Sequence, residues 1–550
     1  MTTTHSADLI LHSGAIFGTT RAATAMAVHA GTVVAVGGDA EVLQHAGPRT
    51  QFIDLAGRLV TPGFIDAHVH PGQAGLEQAS CDLSGCAELA DVAAVIRDYA
   101  ATTDRPWITG GGWRVDMFDE QLPTRALLDR LVDDRPAFLM SGGHHSAWVN
   151  SRALELAGIT AASPDPPNGH VERDPDGTPT GVLHEGAMIL VERLTPTPTQ
   201  ADIEDALLAV QEYLFSLGVT GWQDAILGNY AGVVDATEAY CALEQSGRLR
   251  AQVTGALWWD RARGLEQIPD LLQRREQVAR SRSGGVGGFT ARTVKILQDG
   301  VVGNFTAALG APYLDADGRP GTNTGLSHLA PAHLAAVVTA LDAADFQVHI
   351  HAIGDRAVRE SLDAFAAARA ANGHRGNRHH IAHLNMIDPV DLPRFAELDL
   401  TANLQMLWAY RDEYFDRMVR WVGPERAGWH FLFGSLARAG ARLAAGSDWP
   451  VSTPNPLAAL HVAVNRREPG SDGPPLGMGE ELSVDAALRA YTAGSAYLMH
   501  DDSRGQIEVG HPADFAVIDR DIRTVPSEQI GEARVELTFV RGEPVWTADV

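Results

Sequence analysis

The chain has 550 residues, 45% of them hydrophobic, too long for one compact core and ordinary for a folded soluble protein. A formal charge of -26 with no basic run or stripe argues against a nucleic-acid groove or an anionic membrane surface. Cys81, Cys86 and Cys241 are too few for a disulfide framework and no stretch reads as an export signal or membrane span, so a cytosolic protein with reduced thiols is expected.

In chain order, residues 1–60 read as short strands: Ala7 to Ile10, Ala25 to His29, Thr32 to Val36 and Gln51 to Asp54. Turns at Ala30-Gly31 and Gly37-Gly38 predict a small antiparallel sheet. Residues 501–550 look the same, with apolar runs at Asp514 to Ile518, Val535 to Val540 and Pro544 to Trp546, which predicts one small β-rich domain built from both chain ends. Residues 61–500 alternate strand-like runs with amphipathic helices. Thr199 is placed to cap a helix carrying Ile203, Ala206, Leu207, Val210, Leu214 and Leu217 on one face, followed after Gly218 by the strand Val219 to Trp222. Further strands are expected at Ala251 to Thr254, Thr293 to Leu297, Gln347 to His351, His379 to His383 and Arg442 to Gly446. Repeated βα units build a parallel sheet, either doubly wound or closed into a barrel. Ionisable residues at the strand ends favour the barrel, because barrel enzymes place their chemistry there. Residues 75–195 break the rhythm and are expected as loops and a cap over the barrel mouth.

The chemistry starts at Thr61-Pro62-Gly63-Phe64-Ile65-Asp66-Ala67-His68-Val69-His70. In a strand, side chains alternate, so His68 and His70 face one way and can hold one metal ion between two imidazole nitrogens. Lys295 sits inside an apolar strand, where an ammonium is costly unless paired or deprotonated. A neutral lysine can take up carbon dioxide to give a carbamate with two ligand oxygens. His351 and His383 end two consecutive strand candidates, and Asp448 follows a third. By spacing, His349 shares a face with His351, and either can supply the ligand. Two histidines, a lysine, two more histidines and an aspartate suffice for two divalent ions of the zinc type.

These segments, with Gly111-Gly112-Trp113, His145 to Ser151, Pro179 to Glu185, Asp299-Gly300 and His351 to Ala357, resemble the metal-dependent amidohydrolase superfamily, in particular amidohydrolase family 3 and its N-substituted formamide deformylase branch. The resemblance implies a distorted (β/α)8 TIM barrel with a terminal β-sandwich. It implies that His68 and His70 bind the more buried of two Zn2+ ions, that His351 (favoured over His349) and His383 bind the other, that carboxylated Lys295 bridges, and that Asp448 completes the site. His349 then stands behind the ligands. The expected chemistry is hydrolysis of an amide-type carbonyl, in which the metal would raise the acidity of water and Asp448 would carry the proton to the leaving nitrogen. The chain departs from the pattern at Ala382, where Glu is common, and at Val301 to Ala307. These changes make the pocket more apolar.

Other candidates are His144 and His145, which follow the strand Ala137 to Met140 and are placed to touch substrate or its developing oxyanion. Glu185 is a cap contact or an alternative metal carboxylate. Trp113, Trp148, Phe305, Trp408 and Trp449 are candidates for an aromatic pocket. Deaminases on this fold usually carry Glu three residues after the position of His351 and lack the lysine. Here Gly354 and Lys295 occupy those places, which favours hydrolysis of an amide, formamide or carbamate. A non-catalytic scaffold is disfavoured because all six ligands are present. The expected partner is a small hydrophobic molecule, with a homodimer as the expected assembly.

Overall fold

The computed structural model describes residues 6–19, 21–118, 122–143, 146–166, 169–228, 230, 234–282 and 284–548. The chain divides into two units, one of Met1–His70, Val210–Gly228 and Asp235–Val550, the other of Pro71–Ala209 and Asn229–Val234.

The first unit holds eight parallel strands, β1 (Phe64–Val69), β2 (Val219–Leu227), β3 (Gln252–Trp258), β4 (Gly288–Leu297), β5 (Gln347–Ala352), β6 (His380–His383), β7 (Thr401–Leu404) and β8 (Arg442–Ala445). Each pairs with the next in chain order, from β1 to β8. The ends meet where Asp448 N donates to His68 O at 2.7 Å and His70 N donates to Trp449 O at 2.9 Å, giving a nearly closed TIM barrel. Gly446 allows that approach, since a Cβ there would lie 2.5 Å from His68 N.

The alternation of β5 explains the architecture. Val348 and Ile350 face outward toward the helix Pro331–Ala343, whose Leu334, Val337, Val338 and Leu341 are buried. Burying each such aliphatic chain contributes about 1.5–3 kcal/mol. Gln347, His349 and His351 face inward instead. At the bottom of the barrel Thr293 Oγ1 donates to Gln347 Oε1 at 2.6 Å, and Gln223 Nε2 donates to Thr293 Oγ1 at 3.3 Å. A polar barrel interior is costly unless it is satisfied or used.

Both chain ends build two further sheets. Leu9–His12, Ala25–His29, Thr32–Gly37 and Gln51–Asp54 form one; Ala15–Ile16, Leu59–Pro62, Phe515–Ile518, Val535–Val540 and Glu543–Thr547 form the other. Leu11, Met26, Val28, Val60, Phe515, Val517 and Phe539 share one core between them. The first sheet is mixed rather than antiparallel, because Leu9–His12 pairs in parallel with Gln51–Asp54.

The second unit corrects the expectation of loops over residues 75–195. It contains its own six-stranded sheet, in the order Gly169–Arg173, Pro179–Glu185, Ser146–Val149, Ala137–Ser141, Ile108–Trp113 and Cys81–Asp82. Ala137–Ser141 is the strand the pattern shows; Ile108–Trp113 is hidden by its three glycines and Cys81–Asp82 by its length of two residues. At Gly110, φ is +157° and a Cβ would lie 2.1 Å from Cys81 O. Among the described residues no helix is long and apolar enough to cross a membrane.

Candidate metal centre

All six residues of β1 are buried, and the shared parity of Asp66, His68 and His70 turns them to one side. Asp448 reaches them from the segment after β8 with φ +58°. Its Oδ1 lies 3.1 Å from His68 Nε2 and 3.0 Å from His70 Nε2. A tetrahedral ion with bonds of about 2.0 Å has ligand edges of about 3.3 Å, so the triad is spaced for one. Among the described residues it is the one group of three or more His, Cys, Asp or Glu whose ligand atoms all fall within 4.8 Å.

The remaining ligand candidates stand in layers set by strand register. Lys295 on β4 is level with His349 on β5, and Leu297 with His351. Lys295 Nζ lies 3.3 Å from His349 Nε2 and 3.4 Å from His68 Nε2, while His349 Nε2 lies 3.0 Å from His68 Nδ1. His349 is thus one layer below the opening, behind His68. His351 is one layer above, with its ring 4.4 Å from that of His383. His383 ends β6 at φ +77°, a backbone turn that accompanies its place beside His68, 4.6 Å between rings. Buried His70 Nδ1, His351 Nε2 and His383 Nδ1 have no hydrogen-bond partner among the described residues.

Electrostatics point the same way. Burial, then the Lys295 charge, lowers His68 to about 3. Burial also holds His349, His351 and His383 well below the usual imidazole range, so these rings are neutral lone-pair donors. Lys295 falls to about 7, mainly through burial. Burial alone would raise Asp448, but His68 and the hydrogen bonds of His68 and His70 keep it well below the ordinary carboxylate range.

The sequence model of the amidohydrolase family matches residues 51–546. This chain belongs to the amidohydrolase family. It is 31% identical to Protein LONG AFTER FAR-RED 3 of Arabidopsis thaliana over 98% of this chain and 92% of that protein. It is 28% identical to the N-substituted formamide deformylase of Arthrobacter pascens over 94% of each chain. Among solved structures, a metal-dependent hydrolase from Pyrococcus furiosus superposes with a TM-score of 0.71 at 26% identity, over 94% of this chain and 100% of that one. The amidohydrolase is therefore an enzyme, a metal-dependent hydrolase of carbon–nitrogen bonds.

The structure separates the other candidates. Trp408 stacks on His383 at 5.5 Å with the rings 4° from parallel, and its Nε1 donates to Ser452 Oγ at 3.1 Å. Trp449, adjoining Asp448, lies 5.3 Å from the Tyr213 ring. Phe305, at φ +58°, is 37% exposed and packs on Tyr313 and Trp421. Trp113 and Trp148 do not line a pocket. They are buried in a core of the second unit, where Trp113 Nε1 donates to Leu139 O and Trp148 Nε1 donates to Thr124 O. Glu185 is exposed at the end of Pro179–Glu185. His144 and His145 lie outside the described residues.

Two residues of the quoted motifs, to which the sequence assigns no role, support the site. Asp66 Oδ1 accepts from His68 N at 3.1 Å and Ser447 N at 3.0 Å, tying the segments that carry His68 and Asp448. Parity with His68 was the available signal. Asp299 accepts from the backbone N–H groups of Ala308, Ile353 and Gly354 at 2.9 Å each and lies 3.7 Å from His351 Nε2.

Proposed function

We propose that this amidohydrolase cleaves an amide-type C–N bond, in an amide, N-substituted formamide or carbamate, of a small hydrophobic substrate. The observation that carries the reading is the buried convergence of His68, His70 and Asp448 beside Lys295, with His351 and His383 alongside. Likeness to the Arthrobacter pascens formamide deformylase along nearly the full length supports the formamide class. His68, His70, His351, His383 and Asp448 would hold a pair of zinc ions, with Lys295 between them as a carbamate. Zinc supplies Lewis acidity, polarising a carbonyl and bringing the pKa of water from 15.7 to about 7.

The chain's own groups do the rest. Lys295, neutral above about pH 7, can add its nitrogen to carbon dioxide with loss of one proton, which makes an anionic carbamate. Asp448 is ionised and buried, so its carboxylate is ready to accept the proton of an attacking water and return it to the departing nitrogen. Trp408, parallel to His383, gives the site an aromatic wall on which an apolar substituent can rest. Zinc-loaded enzyme screened against N-substituted formamides, N-acyl amines, carbamates and lactams is expected to release amine from one of these classes. Ammonia release from aminated purines or pyrimidines, with all amides inert, would replace the reading with deamination.

A further inference from the structure

A cleft of about 380 Å³ lies near the starts of β3 and β4, among residues of the first unit alone. Its walls include Arg282, Arg292, Arg541, His500 and the glycines Gly284 and Gly285. Arg292 is on β4 three residues before Lys295, so the two side chains leave opposite faces of the strand, and the cleft is separate from the metal centre.

In a chain of charge -26 a guanidinium has many carboxylates to choose from. Arg504 takes Asp501 and Asp514, and Arg378 takes Asp502. Arg282, Arg292 and Arg541 make no side-chain hydrogen bond or ion pair among the described residues; all three line this one cleft, Arg282 and Arg541 from exposed positions at its rim. Arg292 is half-buried and its Nε is fully buried without a partner. Burial and the charges of Arg378 and Arg275 press its pKa down, against a smaller opposing pull from Asp345. The carboxylates in the wall are already engaged. Asp501 is held by Arg504 and Ser503, and Glu244 Oε2 accepts from Phe289 N at 3.0 Å.

We propose that this cleft binds a small multivalent oxyanion, inorganic phosphate or a phosphomonoester. Planar guanidinium forks suit the tetrahedral oxygens of phosphate, and three of them match its double charge better than a single carboxylate would. The glycines in the wall leave room for the anion beside the backbone.

Binding is measured by calorimetry on the full-length metal-loaded protein with inorganic phosphate, with succinate and chloride as comparison anions at matched ionic strength. Because phosphate also meets metal centres, the variants decide. Arg292→Gln and, separately, Arg541→Gln are each expected to weaken phosphate binding about tenfold or more, the loss of one charge-assisted bond. Hydrolase activity without phosphate should be unchanged in both, and Arg292→Gln should not lower the unfolding temperature. Phosphate affinity unaltered in both variants, or matched by succinate or chloride, overturns the proposal.

Discussion

Asp66 gives a prediction whose size follows from the geometry. The side chain is 1% exposed, its Oδ1 accepts from two backbone N–H groups, and its Oδ2 has no partner among the described residues. Asp66→Ala leaves both buried N–H donors unmet, at about 1–3 kcal/mol each, so a loss of about 2–6 kcal/mol is expected. Asp66→Asn keeps the accepting oxygen but puts a buried NH2 where no bond is made, so it should cost about 1–3 kcal/mol, less than Asp66→Ala. The same two bonds hold the segments bearing His68 and Asp448, so zinc affinity should fall about 10- to 100-fold in Asp66→Ala. A pH dependence separates the variants further. Burial raises Asp66 from 3.8 to about 7, against the opposing bonds of Ser447 and His68. Between these values the folded chain holds a proton that the unfolded chain has released, so wild-type stability falls as pH rises from about 4 to 7. Asn does not titrate, and the stability of Asp66→Asn relative to wild type should therefore climb over that window. Urea denaturation of chelator-treated protein at pH 5 and pH 8, with zinc competition alongside, measures all of this. An Asp66→Ala protein as stable and as tight for zinc as Asp66→Asn, or a pH-independent gap, refutes the reasoning.

Asp448→Asn should keep its neighbours in place yet lose at least about a hundredfold in turnover, as expected for removing a proton carrier, and wild-type turnover in a metal-loaded variant speaks against that role. Lys295→Ala should lose the bridging group, with activity partly restored by added short carboxylic acids; no recovery with any acid counts against a carbamate. In metal-free protein the neutral fraction of Lys295, with its pKa near 7, should grow about tenfold from pH 6 to pH 8, and carbon dioxide uptake seen by native mass spectrometry should grow with it. Trp408→Ala removes the ring stacked on His383, and KM for aromatic substrates should rise about three- to tenfold with a smaller change in kcat, an aromatic pair being worth about 0.5–1.5 kcal/mol.

The barrel was legible because its apolar strands recur between amphipathic helices, as with Val219–Leu227 and Gln347–Ala352. The facing of His68 and His70 follows from a period of two. That same period could not separate His349 from His351, since both point inward; their depth depends on register with Lys295 on the neighbouring strand. Nor does sequence reveal the φ of +77° at His383. Tryptophans near motifs gave no clue to burial, so Trp113 and Trp148 read as pocket walls when both are core anchors. The sheet of the second unit was hidden because Ile108–Trp113 is half glycine, and the parallel pairing of Leu9–His12 with Gln51–Asp54 joins segments too far apart for turn signals to report.

Anomalous diffraction at the zinc edge, on crystals of the zinc-loaded enzyme, tests the central claim most directly. The account predicts density for bound zinc between the Nε2 atoms of His68 and His70 and within bonding reach of Asp448. Strong zinc peaks elsewhere, with those three side chains uncoordinated in an active enzyme, would contradict it.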